Sequence, residues 1–272
     1  MRAFLRNWFK KKIFKLKGQK PWSYGYANYK VDTIKSILKR DDFNLGKLHD
    51  NYGFRIDERV IEYPWLFSKL SEEEGNLLDA GSILNFKYII SQEKLQNKKV
   101  FISTLAPEGR FFWQNKVSYV YEDLRNTCYR DAYFDWVVSL STIEHIGLDN
   151  TKLYTDDSSK AESSPDEYLK AIQEYRRVLK PGGICYLSVP YGKKSVKEWY
   201  QVFDAQMIKD IISTFKPTSY NINCYQYLPS GWVVSNQETA KEATYFDMHE
   251  KKQYDSDYAA ASRAVICLEL IK

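Results

Sequence analysis

The sequence predicts an α/β fold: one domain built on a mostly parallel sheet, behind a helical preamble. Three observations lead there. The chain has 272 residues, room for one large domain or two small ones. From residue 76 onward, apolar runs of strand length alternate with stretches of helical spacing, the pattern of a parallel sheet crossed by helices. One of those helices, over residues 165–180, shows both its start and its stop.

Seven strands are expected: Asn76–Ala80, Lys99–Thr104, Val117–Tyr121, Phe134–Leu140, Gly183–Val189, Thr218–Tyr225 and Ala264–Leu270. The helix over 165–180 opens on Ser164 as N-cap, with Pro165 at the first helical position and Glu167 closing a capping box. Tyr168, Ala171, Ile172, Tyr175, Val178 and Leu179 form one apolar stripe, and Pro181-Gly182-Gly183 stops it. Residues 21–75 read as mixed helix and loop that caps the sheet, with helical spacing at Val31–Leu38 and a further apolar stretch at Tyr63–Leu70. Two segments, 147–163 and 226–261, lack a regular pattern. Each follows a core strand and is expected to wall a binding site. The expected division is a tail (1–20), a preamble (21–75) and a domain (76–272).

Hydrophobic residues make up 44% and charged residues 28%, so a sizeable core forms without disulfide or metal staples. The longest apolar runs, such as Trp136–Leu140, are too short to span a bilayer. The basic N-terminus lacks the apolar stretch and cleavage site of a secretory signal. Cys128, Cys185, Cys224 and Cys267 are scattered, with no CxxC pair, which suits reduced, mostly buried thiols in a cytoplasm. His49, His145 and His249 are far apart, so no metal site is expected.

The net charge of +5 is unevenly placed. Residues 1–20 hold Arg2, Arg6, Lys10, Lys11, Lys12, Lys15, Lys17 and Lys20 and no acid. Taking those eight from 40 leaves 32 basic against 35 acidic residues, a net of −3 for the body. A broad nucleic-acid face on the domain is therefore not indicated. On a helical wheel Leu5, Trp8, Phe9, Ile13 and Leu16 share one half, as in a helix lying on anionic lipid. Each cation near such a surface contributes about 1 kcal/mol. A solvated tail, or a helix docked on the domain, fits the same pattern.

Chemistry is concentrated in a few places. Asn76-Leu-Leu-Asp-Ala-Gly-Ser82 is a strand running into an acid and a small-residue turn. A helix beginning near Leu84 would aim its N-terminal amides at the same crevice. Val120-Tyr-Glu-Asp-Leu-Arg-Asn126 is a strand ending in acids. The others are Phe134-Asp-Trp-Val-Val-Ser-Leu-Ser-Thr-Ile-Glu-His-Ile-Gly147 and Glu174-Tyr-Arg-Arg-Val-Leu-Lys-Pro-Gly-Gly183 with the strand after it.

In this order and spacing, over about residues 76–190, the pieces resemble the class I S-adenosylmethionine-dependent methyltransferases. Leu179-Lys-Pro-Gly-Gly183 carries the resemblance most specifically, followed by Phe134-Asp135 with Ser141-Thr-Ile-Glu-His145. The resemblance implies a Rossmann-like seven-stranded sheet with helices on both faces, order 3-2-1-4-5-7-6 and the last strand antiparallel. It implies S-adenosyl-L-methionine as cofactor. Asp79, Gly81 and Ser82 then lie beside its methionine part, and Asp123 takes the adenine amino group with the Leu124 backbone alongside. Ser141 lies where strand four opens onto cofactor and acceptor; Glu144, His145 and Tyr191 face the acceptor. Two positions depart from the family pattern. No further glycine follows Gly81, and Thr104 stands where an acid usually holds the ribose hydroxyls. A hydroxyl accepts more weakly than a carboxylate. A catalytically degenerate, methyltransferase-like scaffold is the reading those departures leave open.

A sulfonium methyl is already activated, so the protein must align donor and acceptor, which supplies roughly 7–11 kcal/mol. A base adds about 10²–10⁴-fold for a sugar hydroxyl. His145 is the first choice, unless it only packs after strand four; Glu144, at a helix start, faces either acceptor or solvent. The Asn/Asp-Pro-Pro-Tyr/Phe sequence of adenine amino-methylation is missing after strand four, and so is the cysteine of pyrimidine methylation. The segment Ile143-Glu-His-Ile-Gly-Leu-Asp-Asn150 resembles methyltransferases of bacterial surface-polysaccharide synthesis. The expected acceptor is a sugar of a lipopolysaccharide or capsule, with a small metabolite as the alternative. The expected location is the cytoplasm, at the inner face of the cell membrane.

Overall fold

The computed structural model describes residues 2–40, 43–152 and 154–272; the side chains of residues 2–7 and 152 lie outside the description. Three helices come first: α1 (Arg2–Leu16), α2 (Tyr26–Arg40) and α3 (Arg59–Lys69). Then follow β1 (Gly75–Ala80), the short α4 (Lys87–Ile90) and α5 (Glu93–Gln96), β2 (Lys98–Thr104), β3 (Val117–Tyr121) and β4 (Phe134–Leu140). After α6 (Tyr168–Val178) come β5 (Leu179–Pro190), the small pair β6 (Ser195–Val196) and β7 (Gln201–Val202), and α7 (Ala205–Phe215). The chain ends in β8 (Ser219–Leu228), β9 (Gly231–Ser235), α8 (Gln237–Ala240) and β10 (Ala264–Ile271). It divides into a smaller unit, Met1–Lys69 with Asn223–Val265, and a larger one, Leu70–Ile222 with Ile266–Lys272.

In the larger unit β1 is central. It runs parallel to β2, with Asn76 opposite Lys99, and to β4, with Leu77 opposite Trp136. β3 pairs outside β2, and β5 outside β4, both parallel. Leu77, Leu78, Phe134, Val137, Val138 and Leu140 are buried, as strands covered on both faces require. Beyond β5 the order continues through β10 to β8. The Gly182 amide donates to the Lys272 carbonyl (3.0 Å) and the Lys272 amide to Gly183 (2.9 Å). The end of β10 thus meets the start of β5, and β10 is antiparallel.

The expected order holds through β5, and the far end gains an eighth strand. Segment 226–261 was expected to be irregular, yet β9 pairs antiparallel with β8 in the smaller unit, Tyr225 opposite Val234. The turn at Pro229-Ser230 leads into Gly231 at φ +118°, and Trp232-Val233-Val234 then supplies β-formers.

The helix expected over 165–180 is shorter. Pro165–Glu167 forms a 3-10 turn, α6 covers Tyr168–Val178, and Ser164 makes no side-chain cap. The capping box fails because Glu167 is used elsewhere: its carboxylate takes Lys170 (2.7 Å) and Arg125 (3.1 Å). The Pro-Gly-Gly run does not stop a helix either. β4–β5 pairing jumps from Phe134–Leu179 to Trp136–Ile184, so Lys180–Gly183 is a bulge inside β5. Asp135 ties that bulge to β1, accepting from Lys180 Nζ (2.7 Å) and the Asn76 amide (2.8 Å).

In the smaller unit α1 docks through Phe14, which is buried against Tyr26, Tyr29 and Ala260. Phe14 lies off the apolar half expected from the helical wheel. Of that half, Trp8, Phe9 and Leu16 are exposed, and the Leu5 side chain lies outside the described residues, as do those of Arg2 and Arg6. Among the described residues no helix is long and apolar enough to cross a membrane. Cys185, Cys224 and Cys267 are buried and Cys128 is exposed, all as free thiols.

Glu58 is buried beside the Ser262 amide, and burial together with the Asp57 and Glu62 charges pushes its carboxyl from 4.5 up to about 8 against the pull of Arg59. The folded state therefore holds this proton to a higher pH than the unfolded chain does. Stability contributed by the neutral carboxyl is full below about 4.5 and is lost as pH rises toward about 8. Thermal unfolding followed by circular dichroism should show Tm falling across that window, and Glu58→Gln, which stays neutral, should flatten the fall. An unchanged slope in the variant would place the titration elsewhere.

Candidate active site

β1 ends in Asp79, whose carboxylate turns back onto the chain. Oδ1 accepts from the Ile83 amide (2.9 Å) and Oδ2 from the Leu84 amide (2.8 Å). Gly81 (φ +120°) and Ser82 (φ +61°) are left-handed in the turn so held. A Cβ at Gly81 would collide with the Thr142 side chain, so glycine is what lets the turns after β1 and β4 touch. The helix expected near Leu84 begins at Lys87 and lasts four residues. The amides expected to face a ligand are taken by Asp79. Ser82 Oγ is buried and has no hydrogen-bond partner among the described residues.

β3 opens into Glu122 and Asp123. Glu122 accepts from Ser103 Oγ (2.7 Å) and the Cys128 amide (2.8 Å). Arg125 grips Asp123, its Nη2 at 2.6 Å from Oδ2 and its Nε at 3.0 Å from Oδ1. It also reaches Glu162, with Nη1 at 2.6 Å and Nη2 at 2.7 Å. Burial alone would raise the Asp123 carboxyl; the bonds and charge of Arg125 outweigh it and hold Asp123 below the usual carboxylate range.

β4 opens into Ser141, at φ +40°, and a 3-10 turn over Ile143–His145. His145 stacks on Trp199 with centroids 5.5 Å apart, and its Nδ1 lies 2.7 Å from the Trp199 carbonyl. A carbonyl only accepts, so Nδ1 carries the hydrogen and the neutral ring keeps its lone pair at Nε2. Glu144 Oε1 lies 3.8 Å from that Nε2.

These turns enclose a cleft of about 540 Å³ at the carboxyl ends of the strands, where open α/β sheets bind ligands. Gly81, Thr104, Asp123, Leu124 and His145, all singled out from sequence, line it. Asp79, Ser82 and Ser141 are buried in the turns around it and are not wall residues. Glu144 is buried instead of facing solvent, with Oε1 3.8 Å from His145 Nε2. Tyr191 is buried in a bridge to Phe203 and is not on the wall. Sequence reasoning missed Glu122, Arg125 and Thr142, each one or two residues from a named position, and Tyr154, Lys160 and Glu162 within 147–163. Among the described residues no group of three or more His, Cys, Asp or Glu is arranged to hold a metal ion.

Residues 93–187 match the family model described as a methyltransferase domain. Over this stretch, about a third of the chain, it is similar to methyltransferase domains. That match supports an enzyme that uses S-adenosylmethionine as methyl donor. The matched stretch of the methyltransferase domain runs from α5 into β5 and includes Thr104, Asp123, Leu124, Ser141, Glu144 and His145; Asp79, Gly81, Ser82 and Tyr191 lie outside it. No curated protein matches the chain. Among solved structures the chain is similar to 1,6-didemethyltoxoflavin-N1-methyltransferase of Burkholderia thailandensis, at 13% identity and TM-score 0.47, covering 78% of this chain and 77% of that one. It is also similar to the N-methyltransferase NodS of Bradyrhizobium japonicum, at 15% identity and TM-score 0.46, covering 89% and 99%.

Proposed function

We propose that the chain O-methylates a sugar of a bacterial surface glycan, lipopolysaccharide or capsule, in the cytoplasm at the inner face of the cell membrane. The observation that carries this reading is His145. It sits on the cleft wall with its tautomer fixed by the Trp199 carbonyl and the Glu144 carboxylate 3.8 Å from its Nε2. A sugar hydroxyl is a poor nucleophile until a base takes its proton, and a neutral imidazole protonated at Nδ1 takes it at Nε2. Glu144 then stabilises the imidazolium that forms. The exposed Trp8, Phe9 and Leu16 on a lysine-rich α1 support the membrane part.

S-adenosylmethionine supplies an activated methyl on a sulfonium. The cleft fits it by three features: the tight turn at Gly81, the orphaned Ser82 hydroxyl beside that turn, and acids on the β3 side. An unpaired buried hydroxyl costs about 1–3 kcal/mol, which a polar group of the methionine part would offset. Asp123 is assigned to the adenine amino group. Arg125 already makes four contacts to this carboxylate, which is still about a third exposed and lines the cleft. Glu122, the residue after β3, donates its amide to the Thr104 carbonyl (3.0 Å), and both residues line the cleft. Glu122 takes over the ribose hydroxyls that an acid at position 104 would have held.

Calorimetry with S-adenosylmethionine and its demethylated product, followed by activity against a glycan panel, tests the reading. Asp123→Ala should weaken cofactor binding by about 1.5–3 kcal/mol, as for a hydrogen bond to a charged group. Unchanged affinity would put the adenine elsewhere. Turnover of small metabolites with none of any glycan would overturn the acceptor.

A further inference from the structure

We infer that the groove between α1 and α2 binds the headgroup phosphate of an anionic phospholipid. This rests on the membrane reading above and names the site that serves it. One stripe of each helix builds the groove. α1 gives Trp8, Lys11, Lys12 and Lys15, and α2 faces them with Asp32, Thr33, Ser36 and Arg40 along an open groove of about 1010 Å³.

The charge in the groove is one-sided. Lys11 pairs with Asp32, which neutralises one cation. Lys12 and Lys15 have no carboxylate partner among the described residues; their ammonium groups sit over the Trp8 ring (5.0 Å) and the Tyr29 ring (5.9 Å). A ring face attracts the charge but leaves N–H groups able to donate. Two such donors from one helix face suit the oxygens of a phosphate.

The same helix selects the source of that phosphate. Trp8 is 44% exposed, Phe9 57% and Leu16 78%. Nucleic acid would use the lysines and gain nothing from Leu16. A phospholipid uses both: its phosphate meets the lysines while its acyl region receives the apolar side chains. Phe14, buried against Tyr26 and Tyr29 of α2, holds the helix in place before lipid arrives, so little ordering remains to be done on binding. Deleting residues 1–20 would strip Phe14 from that core and is the wrong test.

The test uses the full chain and vesicles of phosphatidylcholine mixed with phosphatidylglycerol, in low salt, with flotation as readout. K12Q/K15Q should weaken binding about 25-fold, since each cation at an anionic surface is worth about fivefold. K17Q/K20Q removes the same charge from outside the groove and should lose clearly less. W8A/L16A should also weaken binding, with thermal unfolding unchanged. Equal losses in the two lysine pairs would overturn the groove while leaving membrane attachment standing. No binding by the intact protein would overturn both. Tighter binding to single-stranded RNA than to vesicles, lost in K12Q/K15Q, would reassign the groove to nucleic acid.

Discussion

His145→Asn is expected to lower kcat about 10²–10⁴-fold, the range that one positioned base contributes. Asparagine keeps a donor near the Trp199 carbonyl and has no group that accepts a proton from the acceptor. The affinity for S-adenosylmethionine should stay within about twofold, because the loss falls on the transition state. Steady-state rates on the glycan returned by the acceptor panel check the first statement, and calorimetry the second. A further readout separates a base from a packing residue. Raising the pH supplies acceptor alkoxide without a base, so the variant's rate should climb with pH. A merely structural histidine would leave a pH-independent defect. Retention of most of the wild-type rate would sink the assignment. Glu144→Gln should cost less than His145→Asn, since it removes only the charge near the imidazolium.

Much of the sheet was legible because it follows from local pattern. Strands and helices alternate, and each apolar run falls where a strand does. Gly81 was legible because a small-residue turn after a strand has few other uses, and the structure adds that Thr142 fills the space a side chain would take. What the sequence hid depends on contacts between distant residues. Glu167 has the spacing of a capping box, yet Arg125, 42 residues earlier, recruits its carboxylate. The same arginine draws Glu162 from the segment after β4 to the end of β3. Phe14 was missed because periodicity says which side of a helix is apolar, and not which residue finds a pocket. Phe134-Asp135, read as a mark of chemistry, turns out to position backbone: Asp135 locks the start of β1 to the bulge of β5. The departure at Thr104 looked like a lost acid. The β2–β3 pairing brings the Glu122 amide onto the Thr104 carbonyl, which sequence order alone does not reveal.

Arg125→Gln is expected to raise the dissociation constant for S-adenosylmethionine about tenfold or more, with a modest fall in Tm. The arginine joins Asp123 to Glu162 and Glu167 with every bond between 2.6 and 3.1 Å, and its side chain is only 19% exposed. Removing it takes away the cation that the three carboxylates share, and leaves Lys170 paired with Glu167 alone. The carboxylates should move apart, and the wall contributed by 147–163 with them. Bonds to charged groups of this kind are worth about 1.5–3 kcal/mol. The pH dependence tells loss of a wall from loss of an ionised Asp123. In the wild type Arg125 holds the Asp123 carboxyl below the usual range, so adenine binding through the carboxylate persists as pH falls through ordinary carboxylate values. In the glutamine variant that hold is gone, and affinity should begin to fall at a higher pH than in the wild type. Arg125→Lys keeps the charge but not the fork, and should restore the pH profile better than the affinity. Calorimetry from neutral to mildly acid pH reads both effects. Equal affinities and parallel profiles in wild type and Arg125→Gln would mean that neither Asp123 nor the segment it anchors touches the cofactor.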